Sequence, residues 1–162
     1  MLQLHRLQIC CVFAAYCPYG CRLCVCYALS MSLSVDIIVP NESETEILTE
    51  IAVDNEVNIE RATRFFHEKG IPDCIITMGV RGVVWSEENG ITTYPACKVK
   101  AVDSTAAGDS FVGALALQMA QKRHLAESIH FCNAVGALTV TKKGTQISLP
   151  TINEVTAFLA QM

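Results

Sequence analysis

Charge is scarce in this chain. Lys, Arg, Asp and Glu make up only 17% of its 162 residues, and the balance is not basic: the formal net charge is −4 and the pI is near 5.5. Without a basic surplus, nucleic acid is not an expected partner. Long apolar runs are missing as well. No stretch reaches the ~18 uninterrupted apolar residues of a membrane-crossing helix, so no span and no membrane partner are expected. No internal repeat or low-complexity linker is present. The length suits one domain with a real core.

Cysteine is sparse over most of the sequence but crowded at its start. Six of the nine cysteines lie between Cys10 and Cys26, and the other three are Cys74, Cys97 and Cys132. A secreted disulfide protein would spread its cysteines across the fold that they staple. The scattered three read as small hydrophobes in a reducing, cytoplasmic (or nuclear) setting. Cys17, Cys21 and Cys24 have a C-x3-C-x2-C spacing similar to that of radical SAM iron–sulfur enzymes, and Cys26 could add a fourth thiol for zinc. Against a metal site stand the apolar neighbours Ile9–Ala15 and Leu23–Leu29. His5 and Arg6 precede an apolar run as in a secretory signal, but Pro18, Gly20 and Arg22 break it. Residues 1–34 are therefore expected to be a Cys-rich segment unrelated to the fold, and residues 35–162 to carry the function.

From Ser34 onward the pattern alternates between strands and helices. Val35–Val39 reads as a buried strand ended by Pro40, with a helix opened by Asn41, Ser43 and Glu44. Asn58 is the expected cap of a second helix, Ile59 to Lys69, whose apolar stripe is Ile59, Ala62, Phe65 and Phe66. Cys74–Met78 suits a central parallel strand. Val83–Trp85 and Ile91–Tyr94 flank the turn at Asn89-Gly90. A helix begins near Asp109, another runs from Leu125 to Val140, and a last one follows Pro150. Such alternation implies an α/β layered sheet.

The most informative stretch is Val102 to Phe111. Ala106, Ala107 and Gly108 are too small to cover their own amides and are followed by a helical pattern at Phe111, Val112, Leu115 and Met119. The turn therefore presents N–H groups at the partial positive end of a helix, where an anion can sit. Asp109 sets a carboxylate beside that hole, an arrangement suited to deprotonating a hydroxyl while the backbone holds a phosphoryl group. The alternative is an acid favoured by the helix dipole, with Ala-Ala-Gly serving close packing. Asn41 and Glu44, three apart at a helix start, can reach the same point, and they also fit a capping box. Thr77-Met78-Gly79-Val80-Arg81-Gly82 puts two glycines at a strand end, where ligands collect in open α/β sheets.

These segments together resemble the PfkB-type carbohydrate kinases, the ribokinase family. Their signature D-T-x-[GA]-A-G-D-x-F is met by Asp103 to Phe111, with Ser104 where Thr is usual. Asn41 to Glu44 matches the family's N-x-x-E motif, Ile75 to Val83 its nucleotide segment, and Ala134 to Gln146 its final helix and loop. The resemblance implies a ribokinase-like three-layer αβα sandwich with a mostly parallel sheet. It covers about residues 36–162. Family members are roughly twice as long, and their N-terminal half, which carries the sugar-binding residues and a small β-sheet lid, has no match here.

By the same resemblance, Asp109 is the base that meets the sugar, and Ala106, Ala107 and Gly108 form the anion hole. Asn41, Thr77, Met78, Gly79, Val80, Arg81, Gly82, Gly108 and Asn133 attend the nucleotide. Glu44 holds Mg2+ through water. Asp103, Thr105, Thr139, Lys142, Gly144 and Ser148 supply oxygens for K+, with Asp103 as the carboxylate; the alternative for Asp103 is a turn cap. The implied reaction is ATP-dependent phosphorylation of a sugar, ribose being the one implied, and full-length relatives are homodimers. Two other readings stand beside it: a truncated, inactive nucleotide-binding isoform, and a metal-binding protein built on the N-terminal cysteines.

Overall fold

The computed structural model describes Ile9–Cys10 and residues 35–162; the expectations placed on the rest of the first 34 residues lie outside the described residues. The elements run β1 (Ile9–Cys10), β2 (Ile37–Ile38), α1 (Glu42–Thr49), α2 (Glu56–Glu68), β3 (Asp73–Thr77), a 3-10 turn (Gly79–Arg81), β4 (Val83–Glu87), β5 (Gly90–Tyr94), α3 (Ala107–Ala120), α4 (Leu125–Thr139), a second 3-10 turn (Gln146–Ser148) and α5 (Ile152–Leu159). No helix among the described residues is long and apolar enough to cross a membrane.

The strands form one sheet in the order β1-β2-β3-β4-β5. β1 lies parallel to β2, with Ile9 opposite Ile37, and β2 parallel to β3, with Ile37 opposite Asp73. The β2–β3 connection runs through α1 and α2, the length that a parallel pairing requires. Only residues 78–82 join β3 to β4, and only Glu88 and Asn89 join β4 to β5. Links this short turn the chain straight back, so both of these pairings are antiparallel. The sheet is consequently mixed, where a mostly parallel one was expected. Its parallel part sits at β1–β3, and the Asn89-Gly90 turn makes the other end a hairpin.

The chain divides into two compact units: one reaches Met78 and includes Val84–Thr92, and the other comprises Gly79–Val83 and Thr93–Met162. In the first, Ile38, Leu48, Ile59, Ala62, Phe66, Ile71, Cys74, Ile76 and Val84 form the core. α2 contributes Ile59, Ala62 and Phe66 from one stripe, while Phe65 is half-buried and meets the Phe66 ring edge-on at 5.7 Å. The helix starts earlier than expected. Asn55 is its cap, accepting from the Asn58 amide at 2.9 Å; both asparagines suit a cap, and the one that lies before the first turn takes it. At the other end of α2, His67 lies 2.9 Å from the Ile71 carbonyl and 2.8 Å from the Ser86 hydroxyl. Trp85 donates to Asp73 at 2.7 Å, although burial still raises the Asp73 carboxyl above its ordinary range.

In the second unit α3 packs on α4, and Cys97, Ala134, Val135 and Val155 make a smaller apolar cluster. Cys74, Cys97 and Cys132 are free and buried. Burial pushes the Cys132 thiol up to about 12, so it is inert, as expected of a small hydrophobe.

Candidate functional site

α3 begins without a side-chain cap. Its N-cap, Ala106, adopts the left-handed conformation with φ 62 and ψ 8, which costs a residue bearing a Cβ about 1–2 kcal/mol. The Ser110 amide closes the first helical bond onto Ala106 O at 2.9 Å, and Ala107 N–H reaches Ser104 O at 3.3 Å. The amides of Gly108 and Asp109, second and third in the helix, have no intrahelical acceptor and no backbone partner among the described residues. A Cβ added to Gly108 would meet no atom within 4 Å. The glycine is thus not demanded by packing. Asp109 is exposed beside these amides. Its own amide is a donor that the sequence reading did not name, and the Ala107 amide is already part-engaged.

Hydroxyls fix this helix end to α4. Ser110 Oγ donates to Ala107 O at 2.9 Å, and buried Thr139 lies with Oγ1 3.0 Å from Ser110 Oγ and 2.9 Å from Val135 O. Ser110 was not singled out in the sequence. Its only signal there is its place directly after Asp109.

The C-terminal end of α4 gathers the residues expected around K+. Val102 and Asp103 donate their amides to Val140 O at 2.7 and 3.1 Å. The Asp103 carboxylate accepts from Thr105 Oγ1 at 2.6 Å, Thr105 N at 3.0 Å and Gly144 N at 3.1 Å. The Thr105 hydroxyl first, then these amides, hold the Asp103 carboxyl down to about 2. Asp103 therefore both caps its own turn and ties down a loop 41 residues away. Gly144 has φ 103, and a Cβ there would press on the Ile147 side chain at 3.0 Å. Ser148 is buried and donates to Thr145 O at 2.6 Å. Lys142 turns its ammonium to Glu154 at 2.7 Å. Glu154 also completes a capping box with Thr151 at the start of α5, and the Lys142 and Thr151 bonds hold its carboxyl down to about 2. The T-x-x-E spacing after Pro150 could have revealed this box in the sequence.

The turn after β3 is built on two glycines with positive φ, 52 at Gly79 and 96 at Gly82. Gly82 is obligatory: an added Cβ would lie 2.1 Å from Tyr94 O and 2.6 Å from Ala96 N. The turn lifts Val80 to 94% exposure and leaves Arg81 exposed. Asn133 donates to Pro95 O at 2.8 Å.

In the first unit, Asn41 and Glu44 form a complete capping box. Asn41 Oδ1 accepts from Glu44 N at 2.9 Å, and Glu44 Oε2 accepts from Asn41 N at 2.8 Å. Asn41 also bridges to Thr77 in parallel fashion, with Thr77 N donating to Pro40 O at 2.9 Å. The Met78 side chain is buried in the core, so a ligand would meet only its backbone.

Known proteins share this sequence and architecture. Residues 26–152 match the pfkB family carbohydrate kinases. A ribokinase of Haemophilus influenzae is 42% identical over 77% of this chain and 41% of its own length; the chain thus spans about two fifths of the curated relatives it matches. The Arabidopsis thaliana ribokinase complexed with ribose and ATP superposes with a TM-score of 0.76 at 27% identity, over 81% of this chain and 43% of its own. A putative ribokinase II of E. coli in complex with ATP and Mg2+ gives a TM-score of 0.75 at 27% identity, over 87% and 43%. With a ribokinase-like fold around the signature Asp103 to Phe111, the chain belongs to the pfkB family of carbohydrate kinases.

Proposed function

We propose that this chain is the nucleotide-binding and phosphoryl-transfer part of an ATP-dependent sugar kinase, with ribose as the sugar and ribose 5-phosphate and ADP as products. The observation that carries the reading is the start of α3: an uncapped helix end, amides at Gly108 and Asp109 unpaired among the described residues, room for a Cβ at Gly108, and a carboxylate beside it. Backbone donors aimed at developing charge are the usual means of stabilising a transferring phosphoryl group. Asp109 takes the proton from the sugar hydroxyl as that oxygen attacks the γ-phosphate. The Gly108 and Asp109 amides hold the transferred group, with Ala106 and Ala107 shaping the turn. Gly79, Val80, Arg81, Gly82 and Asn133, with the Thr77 and Met78 backbone, attend the nucleotide. Val80, almost wholly exposed at a glycine turn, is an apolar surface suited to a base.

Two cations fit residues of the chain. Mg2+ keeps most of its waters and needs only one or two carboxylates; Asn41 and Glu44, the latter's carboxylate fixed by the capping box, would hold its hydrated form. When bound, it neutralises phosphate charge. For K+, the donors are hard oxygens: the Asp103 carboxylate, carbonyls of Thr105, Thr139, Lys142 and Gly144, and Ser148. The electrostatics agree. A carboxylate sits at the negative end of α4, whose last turn has no basic residue, and both favour a cation.

An ADP-release assay with ribose, Mg2+ and K+, alongside calorimetry with ADP, tests the reading. ADP should bind, with heat that depends on Gly108. ADP binding without ADP release from ribose would instead make the chain a nucleotide binder without turnover.

A further inference from the structure

Lys142 is bonded to one carboxylate, and its neighbours in the chain are bonded to a second residue that carries one. Its ammonium lies 2.7 Å from Glu154 Oε1. Its backbone runs beside the other, because Asp103 N bonds Val140 O and Asp103 Oδ2 bonds Gly144 N, one residue on each side of it at a spacing of two. Asp103 already feels the charge of Lys143, and the flexible four-carbon stem of Lys142, on the same loop, carries a second compact charge. Glu154 is the fixed member of the pair. It occupies the third position of α5, where the helix dipole favours an anion, and Oε2 accepts from Thr151 N at 2.6 Å and Thr151 Oγ1 at 2.9 Å. The carboxylate stays in place whatever Lys142 does.

We propose that Glu154 acts as a positioning residue that keeps the Asp103 cation site available, by holding the Lys142 ammonium away from a carboxylate that it would otherwise neutralise. Lys142 is a tethered competitor of K+, docked on α5. The inference rests on the cation reading above, and it concerns the Lys142 and Glu154 side chains; Lys143, whose charge also acts on Asp103, stays the same in every variant.

The test is a KCl titration of the purified 162-residue chain at constant ionic strength, balanced with tetramethylammonium chloride and read as the K+-dependent rise in Tm. Glu154→Gln keeps the capping box, since Gln serves that position, but removes the charge that holds Lys142. It should raise the K+ midpoint about two- to fivefold, the range that an exposed ion pair can impose. Lys142→Met/Glu154→Gln should return the midpoint to that of the parent. An unchanged midpoint in Glu154→Gln overturns the proposal while leaving the cation site standing. A raised midpoint that persists in the double variant also overturns it, because the effect then runs through α5 and not through the ammonium. A parent chain with no K+-specific shift, indistinguishable from Asp103→Asn, removes the cation reading and the proposal with it.

Discussion

α1 and α3 begin in opposite ways. At α1, Asn41 and Glu44 exchange hydrogen bonds and satisfy the helix end from within. At α3, the N-cap is a left-handed alanine with no side chain to offer, and the next two amides after Ala107 stay unpaired among the described residues. Each first turn is acidic, with Glu42 and Glu44 in one and Asp109 in the other, so the sign of the charge does not separate them. The difference lies in what the backbone is asked to do. A closed end stabilises its own helix by about 0.5–2 kcal/mol. An open end forgoes that and adds the strain at Ala106, which is sensible only where something else uses the amides.

The largest consequence of this contrast should appear at the open end. In a chimera joining residues 35–162 to the N-terminal half of a ribokinase, Asp109→Asn should cut ribose-dependent ADP release about 10²–10⁴-fold, the range for a lost general base, with ADP affinity nearly intact. Parent-like turnover would remove Asp109 from the chemistry. Gly108→Glu should weaken ADP binding by about tenfold or more, because a like charge set against a phosphate costs several kcal/mol and each ~1.4 kcal/mol is a factor of ten. Calorimetry that shows equal heats for parent and variant would mean that the nucleotide lies elsewhere.

At the closed end the expected change is in stability. Asn41→Ala should lower the free energy of urea unfolding by about 0.5–2 kcal/mol, and the ADP affinity of the same variant shows how much the amide also contacts nucleotide. A loss of stability too small to measure would deny α1 its cap. The smallest effect is a gain. Ala106→Gly relieves ~1–2 kcal/mol of left-handed strain at an entropic cost of ~0.5–1 kcal/mol, so the variant should be more stable by up to about 1.5 kcal/mol. A fall in Tm would show that Ala106 is not strained.

Much of this was legible along the chain because it is local. Three tiny residues before a helical pattern announced the start of α3, and Asn89-Gly90 announced the β4–β5 hairpin. Local rules falter where two residues qualify equally, as Asn55 and Asn58 do for the α2 cap. The contacts that hold the site are long-range and left no periodic trace: Asp103 to Gly144 across 41 residues, Asn133 to Pro95 across 38, Thr139 to Ser110 across 29. The family resemblance named several of these positions, but only the fold revealed their partners. Met78 illustrates the reverse, a position named for a ligand whose side chain serves the core.

His67 allows one last deduction. The Ile71 carbonyl can only accept, so the ring nitrogen facing it, Nδ1, must carry the proton, and Nε2 of the neutral ring then receives the Ser86 hydroxyl. The neutral imidazole thus has a single tautomer. With Ile71 buried, the Nδ1 proton should exchange slowly with solvent and give a separate imidazole line in a proton NMR spectrum recorded in water. That line would report whether the end of α2 is docked on β4 without any label or ligand.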